Sequence, residues 1–175
     1  MAWFQKKESG PVAPPKSGSA PKGVKVSSLL SEDVVLMPSS DVDKAGVLKA
    51  LVSVVARKSG FADEASLLDK VLEREQGIST TLDTGLSLPH ARVDGLDKVA
   101  AGMAVLKTPL LDPKQPDLPI RVLFLFFSPN KPAAFPLHLQ LLRAVSSLFQ
   151  GPLIDRLTAA AGPAAALELV RSIEG

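Results

Sequence analysis

The residues of this sequence that could do chemistry are, first, its two histidines, His90 and His138. His90 follows Leu88 and Pro89, and because proline cannot donate to a sheet ladder, strand pairing should weaken or stop there. The His90 imidazole is therefore expected at a strand end, near the rim of a sheet, where it can be reached. His138 follows Pro136, which suits the first position of a helix, so His138 is predicted in the first helical turn.

One chemistry that this placement of the histidines would suit is transfer of a phosphoryl group. Free N–H groups and the positive dipole end at a helix N-terminus favour an anion and disfavour a protonated imidazole. A neutral His138 would donate a ring N–H to a phosphoryl oxygen, while a neutral His90 attacks phosphorus with its free ring nitrogen. Such transfer depends on positioning and on stabilised charge over the phosphoryl oxygens. A guanidinium is the expected third element, and the candidates are Arg74, Arg92 and Arg143.

Other interpretations of these residues stay open. Either histidine can be a structural residue, and Arg74, which lies between two glutamates, can be a solvated surface residue. A two-histidine metal site would need carboxylate ligands, and no ligand pair lies at helical i, i+4 spacing. The sequence has no Gly-x-Ser-x-Gly elbow, Walker loop or dinucleotide fingerprint. It also has no cysteine, which excludes disulfides, thiolate zinc sites and cysteine nucleophiles.

The composition of the 175 residues is that of one domain with a sizeable apolar core, since 46% of them are hydrophobic. The net charge is +2, and the positive excess lies in residues 1–27, so the rest lacks the basic footprint of a nucleic-acid binder. The apolar run 122–127 is too short to cross a bilayer, and the N-terminus has no secretory signal. We therefore expect a cytoplasmic protein with no stable membrane insertion.

The elements that position these residues are predicted from capping residues and periodicity. Residues 5–23 are rich in Pro, Gly, Ser and Lys, so residues 1–26 are predicted to be a disordered tail. A strand is expected at 34–37. One helix should be capped at Asp41 or Asp43 and end at Gly60; its apolar face is Val47, Leu48, Leu51, Val52 and Val55. A second should be capped at Asp63 and end at Gly77, with Arg74 in its last turn; its buried residues are Leu67, Leu68, Val71 and Leu72.

The second half of the chain is predicted to form strands and then helices. A hairpin is predicted from 80–82 and 86–88, the latter with one buried face. Strands are expected at 99–106 and 120–127, the second covered on both faces. The four prolines of 108–119 predict a loop between them, and helices are expected at 135–150, 153–160 and 163–173. The mixture predicts an α/β sandwich, a small mixed sheet with helices packed on its faces.

Three stretches, 72–76, 79–82 and 85–92 (Leu-Glu-Arg-Glu-Gln, Ser-Thr-Thr-Leu and Gly-Leu-Ser-Leu-Pro-His-Ala-Arg), resemble the enzyme IIA family of the phosphotransferase system. The resemblance is to its fructose/mannitol type, which includes a nitrogen-regulatory branch. The helical segment 138–148, which contains the second histidine, and the Leu-Leu-Ser-Glu-Asp start at 29–33 are similar to the family as well. The resemblance covers residues 27–175, which would be one enzyme IIA type-2 domain with a sheet of about five strands. Ser87, where a small Ala is usual, and Asp83, where Gly is common, depart from the family pattern.

The resemblance implies a role for each site residue. His90 would be the phosphoryl acceptor, His138 would hydrogen-bond the phosphoryl group, Arg74 would stabilise its charge, and Thr80 would lie in the pocket wall. The implied donor is a histidine phosphocarrier protein such as HPr, and the implied acceptor is a cysteine of an enzyme IIB. No cofactor, metal or nucleic acid is implied. Two alternatives remain: a nitrogen-type regulator that binds other proteins in one phosphorylation state, and a degenerate interaction domain that is never phosphorylated.

Overall fold

A mixed five-stranded sheet is the framework of the residues that the computed structural model describes, 23–38 and 41–175. Its strands are, in chain order, β1 (Val35–Leu36), β2 (Leu86–Ser87), β3 (His90–Val93), β4 (Ala100–Asp112) and β5 (Gln115–Pro129). β4 and β5 pair antiparallel, and β1 runs parallel to β4. β2 and β3 both pair parallel with the other side of β5. One edge of the sheet is therefore made of two short strands in succession.

Helices cover both faces of this sheet. They are α1 (Lys44–Ser59), α2 (Glu64–Glu75), α3 (Phe135–Leu148), α4 (Gly151–Thr158) and α5 (Pro163–Glu174). Val122, Phe124 and Phe126 of β5 pack with buried residues of α3, α4 and α5. The alternate residues of β5, Leu123, Leu125 and Phe127, pack with α1 and α2. Successive side chains of a strand point to opposite faces, and both faces of β5 are covered, which explains the continuous apolar run 122–127. The predicted α/β sandwich is confirmed.

The predicted helix ends are largely confirmed. Asp43 caps α1, accepting from the Gly46 N–H at 2.7 Å, and Asp63 caps α2, accepting from the Ser66 N–H at 3.0 Å. α1 ends at Gly60, whose φ of 70° lies in the left-handed region that favours glycine. α2 ends at Glu75, two residues before the expected Gly77. All five predicted apolar residues of α1 are buried.

The prediction for one residue of α2 was wrong. Leu67 and Val71 are buried and Leu68 is half-buried, but Leu72 is 39% exposed. Each residue turns about 100° around a helix, which carries Leu72 away from the line that faces α1 and the sheet.

The prediction of a loop at 108–119 was wrong. β4 continues to Asp112 and β5 begins at Gln115, so the two strands form a long hairpin that turns at Pro113 and Lys114. The ladder shifts its register between Val105 and Leu110 and again at the tip. Prolines are tolerated where a strand pairing is irregular, because no ladder hydrogen bond is lost there.

The predicted hairpin at 80–88 is present in reduced form. Thr81 and Ser87 form a single antiparallel bridge, and residues 80–82 make no strand of their own. Leu86, Ser87 and Leu88 are all buried, contrary to the expectation of one buried face, because helices cover both sides of the sheet here. β1 and the three C-terminal helices lie close to their predicted positions.

Most of the predicted tail, residues 1–22, lies outside the described residues, whereas Val26 at its end is buried in a 3-10 turn (Val26–Leu29). None of the described helices has the length and apolar character needed to cross a membrane.

Candidate active site

His90 begins β3, directly after the break that Pro89 makes in the sheet edge. β2 ends at Ser87 and β3 starts at His90, so pairing with β5 is interrupted as expected. In the register of the two strands, His90 lies opposite Phe126 of β5. The His90 side chain is 8% exposed, which is more buried than a position at the rim suggests, yet it lines a cleft of about 480 Å³.

The surroundings of the His90 ring select one of its two nitrogens. Nδ1 lies 2.7 Å from the carbonyl oxygen of Leu88, which can only accept, so Nδ1 carries a hydrogen and donates it. The ring stacks on Phe126 with centroids 5.4 Å apart. Burial lowers the pKa of His90, and the charge of Arg74 lowers it as well, against the opposing effects of the Leu88 hydrogen bond and Glu75. His90 is therefore neutral at pH 7, and its lone pair is on Nε2.

His138 lies across the cleft, on α3, with its ring centroid 5.3 Å from that of His90. It is the fourth residue of the helix, and Pro136 is the second rather than the first. A 3-10 turn (Pro132–Ala134) runs directly into α3. The expectation that His138 lies at a helix terminus with free N–H groups is therefore not met. Burial, with smaller contributions from His90 and Arg92, lowers its pKa to about 4. His138 is thus neutral at pH 7, as expected, but mainly because it is buried.

One aromatic and one polar side chain hold the His138 ring. Phe135 stacks on it with centroids 6.4 Å apart. Ser128, a fully buried residue near the end of β5, places its hydroxyl oxygen 2.6 Å from Nδ1 of His138. Ser128 was not among the predicted site residues, although a serine directly after a continuous apolar run is a recognisable signal.

Two of the three candidate arginines lie in the cleft. Its lining residues are Lys70, Glu73, Arg74, Gly77, His90, Ala91, Arg92 and His138. Arg74 comes from the last turn of α2 and Arg92 from the edge strand β3. Arg143 is an exposed residue of α3 and does not line the cleft.

Each of the two arginines is held by a carbonyl oxygen. Arg74 donates from Nη1 to Ile78 at 3.0 Å, and Arg92 donates from Nη2 to Lys131 at 2.9 Å. The Arg92 guanidinium also lies 4.9 Å from the centroid of the Phe135 ring. A guanidinium has five N–H donors, so both cations retain donors for an anion in the cleft.

Thr80 is buried next to the site but does not line the cleft. Its hydroxyl donates to Oε1 of Glu75 at 2.7 Å. Glu75 follows Arg74 directly and ends α2, so the contact of Thr80 is with the helix end that carries the arginine rather than with the cleft itself.

A partly buried charge network joins this helix end to the β4–β5 hairpin. The Lys44 ammonium lies 2.7 Å from Glu75 and 3.0 Å from Asp112. Asp112 also accepts from the hydroxyls of Ser79 and Thr81, at 3.1 and 3.2 Å. The sequence offers no signal for this network, because its charged members are 31 and 68 residues apart.

The pKa values of Asp112 and Lys44 keep these two groups charged at neutral pH. Burial raises the pKa of Asp112, but hydrogen bonds from the Lys114 N–H and from Lys44 outweigh it and bring the pKa to about 2. Burial lowers the pKa of Lys44, but its hydrogen bonds to Glu75 and Asp112 outweigh that effect and raise it overall. The end of α2, and Arg74 with it, is thus anchored by ionised groups.

The cleft thus brings together a neutral histidine with a free ring nitrogen, a second neutral histidine and two arginines. Such a set of groups suits a protein that carries a phosphoryl group. The family described as "Phosphoenolpyruvate-dependent sugar phosphotransferase system, EIIA 2" matches residues 28–173. The chain belongs to this family and is a phosphoryl carrier component of that system.

Individual relatives fall into both branches of the family. The chain is 26% identical over 132 residues to a nitrogen regulatory protein of Pseudomonas aeruginosa, covering 75% of this chain and 84% of the relative. It is 26% identical over 121 residues to a fructose-specific EIIA component of Haloferax volcanii, covering 69% and 77%. Its fold is similar to that of enzyme IIA mannitol from Escherichia coli, in a structure of its complex with phosphorylated enzyme IIB mannitol. That similarity has a TM-score of 0.67 and 14% identity, over 82% of this chain and 97% of the other.

Proposed function

We propose that this chain accepts a phosphoryl group on Nε2 of His90 and passes it to a second protein. The observation that carries the proposal is the 2.7 Å hydrogen bond from Nδ1 of His90 to the Leu88 carbonyl. It leaves Nε2 as the nitrogen with a lone pair, in a cleft that also holds His138, Arg74 and Arg92.

In the first step, the lone pair on Nε2 attacks the phosphorus of a phosphohistidine on the donor. The P–N bond to the donor breaks, and its electron pair returns to the donor imidazole. The His90 ring becomes an N-phosphorylated imidazolium, because Nδ1 keeps its hydrogen, and the Leu88 carbonyl stabilises that positive charge. His138 donates an N–H to one phosphoryl oxygen, while Arg74 and Arg92 balance the charge of the others.

In the second step, an acceptor nucleophile attacks the same phosphorus from the opposite side. The P–N bond to His90 breaks, and its electron pair returns to Nε2, which regenerates the neutral ring. We take the donor to be a histidine phosphocarrier protein and the acceptor to be a cysteine thiolate of an enzyme IIB, both in the cytoplasm. Support for the acceptor comes from the complex in which the E. coli protein of similar fold binds phosphorylated enzyme IIB.

The second candidate function is regulation through partner binding. The similarity to a nitrogen regulatory protein supports it, and it uses the same phosphorylation of His90. The two functions differ in the use made of the phosphorylated chain: transfer to enzyme IIB, or a change in affinity for a target protein.

The proposal is tested by the intact mass of the chain after incubation with phosphoenolpyruvate, enzyme I and the phosphocarrier protein. We expect wild type to gain one acid-labile phosphoryl group and His90→Gln to gain none. A gain in His90→Gln, or none in wild type with active donors, would overturn the proposal. Adding a fructose-type enzyme IIB then separates the two functions, since only the relay discharges the phosphorylated chain onto the IIB cysteine.

A further inference from the structure

Ser128 is a polar residue at the end of an otherwise apolar buried strand. The preceding residues of β5, from Val122 to Phe127, are all fully buried and apolar, and Ser128 is fully buried too. Among the described residues, its hydroxyl makes one hydrogen bond, to Nδ1 of His138 at 2.6 Å. A buried hydroxyl costs free energy unless it is hydrogen-bonded, so this contact is the feature that justifies a serine here.

The direction of that hydrogen bond follows from counting donors and acceptors. If Nδ1–H donated to Ser128, the serine O–H would be left buried with no acceptor among the described residues. If Ser128 donates to a bare Nδ1, the serine hydrogen and the ring nitrogen are both satisfied. A buried donor without a partner is costly, whereas lone pairs left over on an oxygen are better tolerated. The second arrangement is therefore favoured.

The direction of the bond decides where His138 carries its hydrogen. With a pKa of about 4, the His138 ring is neutral and has a single N–H. An Nδ1 that accepts from Ser128 leaves this N–H on Nε2. His90 has the opposite tautomer, since its Nδ1–H donates to Leu88. The two rings, 5.3 Å apart, thus differ at Nε2: His90 has a lone pair and His138 has a donor.

We propose that Ser128 is a positioning residue that sets the tautomer of His138, so that Nε2–H of His138 is available to a phosphoryl oxygen on His90. The catalytic part of this proposal, the hydrogen bond from His138 to a phosphoryl oxygen on His90, rests on the proposed function. The tautomer of His138 does not. One face of β5 supports both rings. Phe126 stacks on His90, and Ser128, two residues later on the same face of the strand, is hydrogen-bonded to His138.

Nitrogen-15 NMR of the unphosphorylated full chain tests the tautomer directly. The chain has two histidines, and His90→Gln identifies the signals of His138. We expect wild-type His138 to show a hydrogen on Nε2 and a bare, hydrogen-bonded Nδ1. Ser128→Ala should shift the ring to a mixture of tautomers or to Nδ1–H. A wild-type His138 with its hydrogen on Nδ1 would overturn the proposal, whatever the serine variants show.

Ser87→Ala is the matched control. Ser87 is as buried as Ser128 and lies three residues before His90, but its hydroxyl has no hydrogen-bond partner among the described residues. We expect Ser87→Ala to leave the His138 tautomer unchanged. If both serine variants shift it equally, the cause is loosened packing and not the hydrogen bond to Nδ1.

The rate of phosphorylation tests the catalytic part. A net hydrogen bond is worth about 1 kcal/mol, so Ser128→Ala should lower kcat for phosphorylation about 5- to 10-fold and leave KM for the phosphocarrier unchanged. Ser87→Ala should keep the wild-type kcat. An unchanged kcat alongside a shifted tautomer would overturn the catalytic part alone. A chain that is never phosphorylated would instead remove the proposed function and leave the tautomer result in place.

Discussion

The rings of His90 and His138 lie with their centroids 5.3 Å apart and their planes inclined by 56°. Neither ring stacks on the other; each stacks on a phenylalanine, His90 on Phe126 and His138 on Phe135. Both rings line the same cleft. The fold thus holds two neutral imidazoles close together at fixed angles, as transfer of a phosphoryl group to one of them requires.

Replacement of Arg74 by Ala should slow phosphorylation of His90. Arg74 lines the cleft, and a hydrogen bond to a charged group contributes about 1.5–3 kcal/mol, so we expect a loss of roughly 10- to 100-fold in rate. Folding should stay nearly intact, since the guanidinium makes an exposed contact to Ile78. Quench-flow phosphorylation and circular dichroism measure the two effects.

Arg143→Ala is the control for that experiment. Arg143 is exposed on α3 and lies outside the cleft, so its loss should leave the rate at the wild-type value. A grossly unfolded Arg74→Ala variant would show instead that Arg74 has a structural role.

The stability of the protein should fall as the pH drops below about 6.5. The pKa of His138 is lowered from 6.5 to about 4 in the folded protein, so the unfolded chain binds a proton first and is favoured by acid. This linkage amounts to about 3 kcal/mol between pH 6.5 and pH 4, at 1.36 kcal/mol per pKa unit. The lowered pKa of His90 acts in the same direction.

Urea unfolding at pH 7.5 and at pH 5 measures this dependence. In His138→Gln, which has no ionisable group at this position, the drop between the two pH values should shrink to the share of His90. An equal drop in wild type and His138→Gln would show that other groups control the acid sensitivity.

The Lys44–Glu75–Asp112 network should be needed for stability. Asp112→Ala leaves the ammonium of Lys44 and the hydroxyls of Ser79 and Thr81 without this buried acceptor. Breaking a buried ion pair on one side costs about 3–5 kcal/mol. Because the Lys44 side chain retains 16% exposure and a second partner in Glu75, we expect a loss at the lower end of that range, measured by chemical denaturation.

The exposed pair Arg171–Glu168 provides the comparison for that network. Its side chains are 52% and 69% exposed, so Arg171→Ala should cost less than about 1 kcal/mol. Similar losses in the two variants would contradict the structural importance of the buried network.

In wild type, the carboxylate of Asp112 should also add to the acid sensitivity as the pH falls from its ordinary pKa of 3.8 toward its pKa of about 2 in the folded protein.

Gly102 of β4 should tolerate no side chain. A Cβ at this position would lie 2.7 Å from Cγ2 of Val55 and 3.1 Å from the carbonyl oxygen of Val34. Gly102→Ala therefore overpacks the contact between α1 and the sheet and should cost about 1–3 kcal/mol. Gly23→Ala, where nothing lies within 4 Å, should leave the melting temperature nearly unchanged, and thermal unfolding of both variants compares them.

Local patterns were enough to predict most elements of the fold. Asp43, Asp63 and Gly60 mark helix ends by capping chemistry that involves residues close together in the chain. The prolines at 109–119 led to a wrong prediction of a loop, because proline is common both in loops and in irregularly paired strands. Which of the two forms depends on how β4 pairs with β5. The exposure of Leu72 likewise depends on which helix face meets its neighbours.

The sequence by itself determined the family, the approximate positions of the helices and the choice of His90 and His138 as candidate site residues. All three rest on residue types and on short spacings along the chain. Only the tertiary structure decided which arginines share the cleft, that Thr80 contacts Glu75, and that Ser128 bonds His138. These contacts join residues on different elements, from Ser128 and His138 on β5 and α3 to Lys44 and Asp112, 68 positions apart. Their geometry is set by the pairing of β3 with β5 and by the helices that pack on either face, which no local pattern encodes.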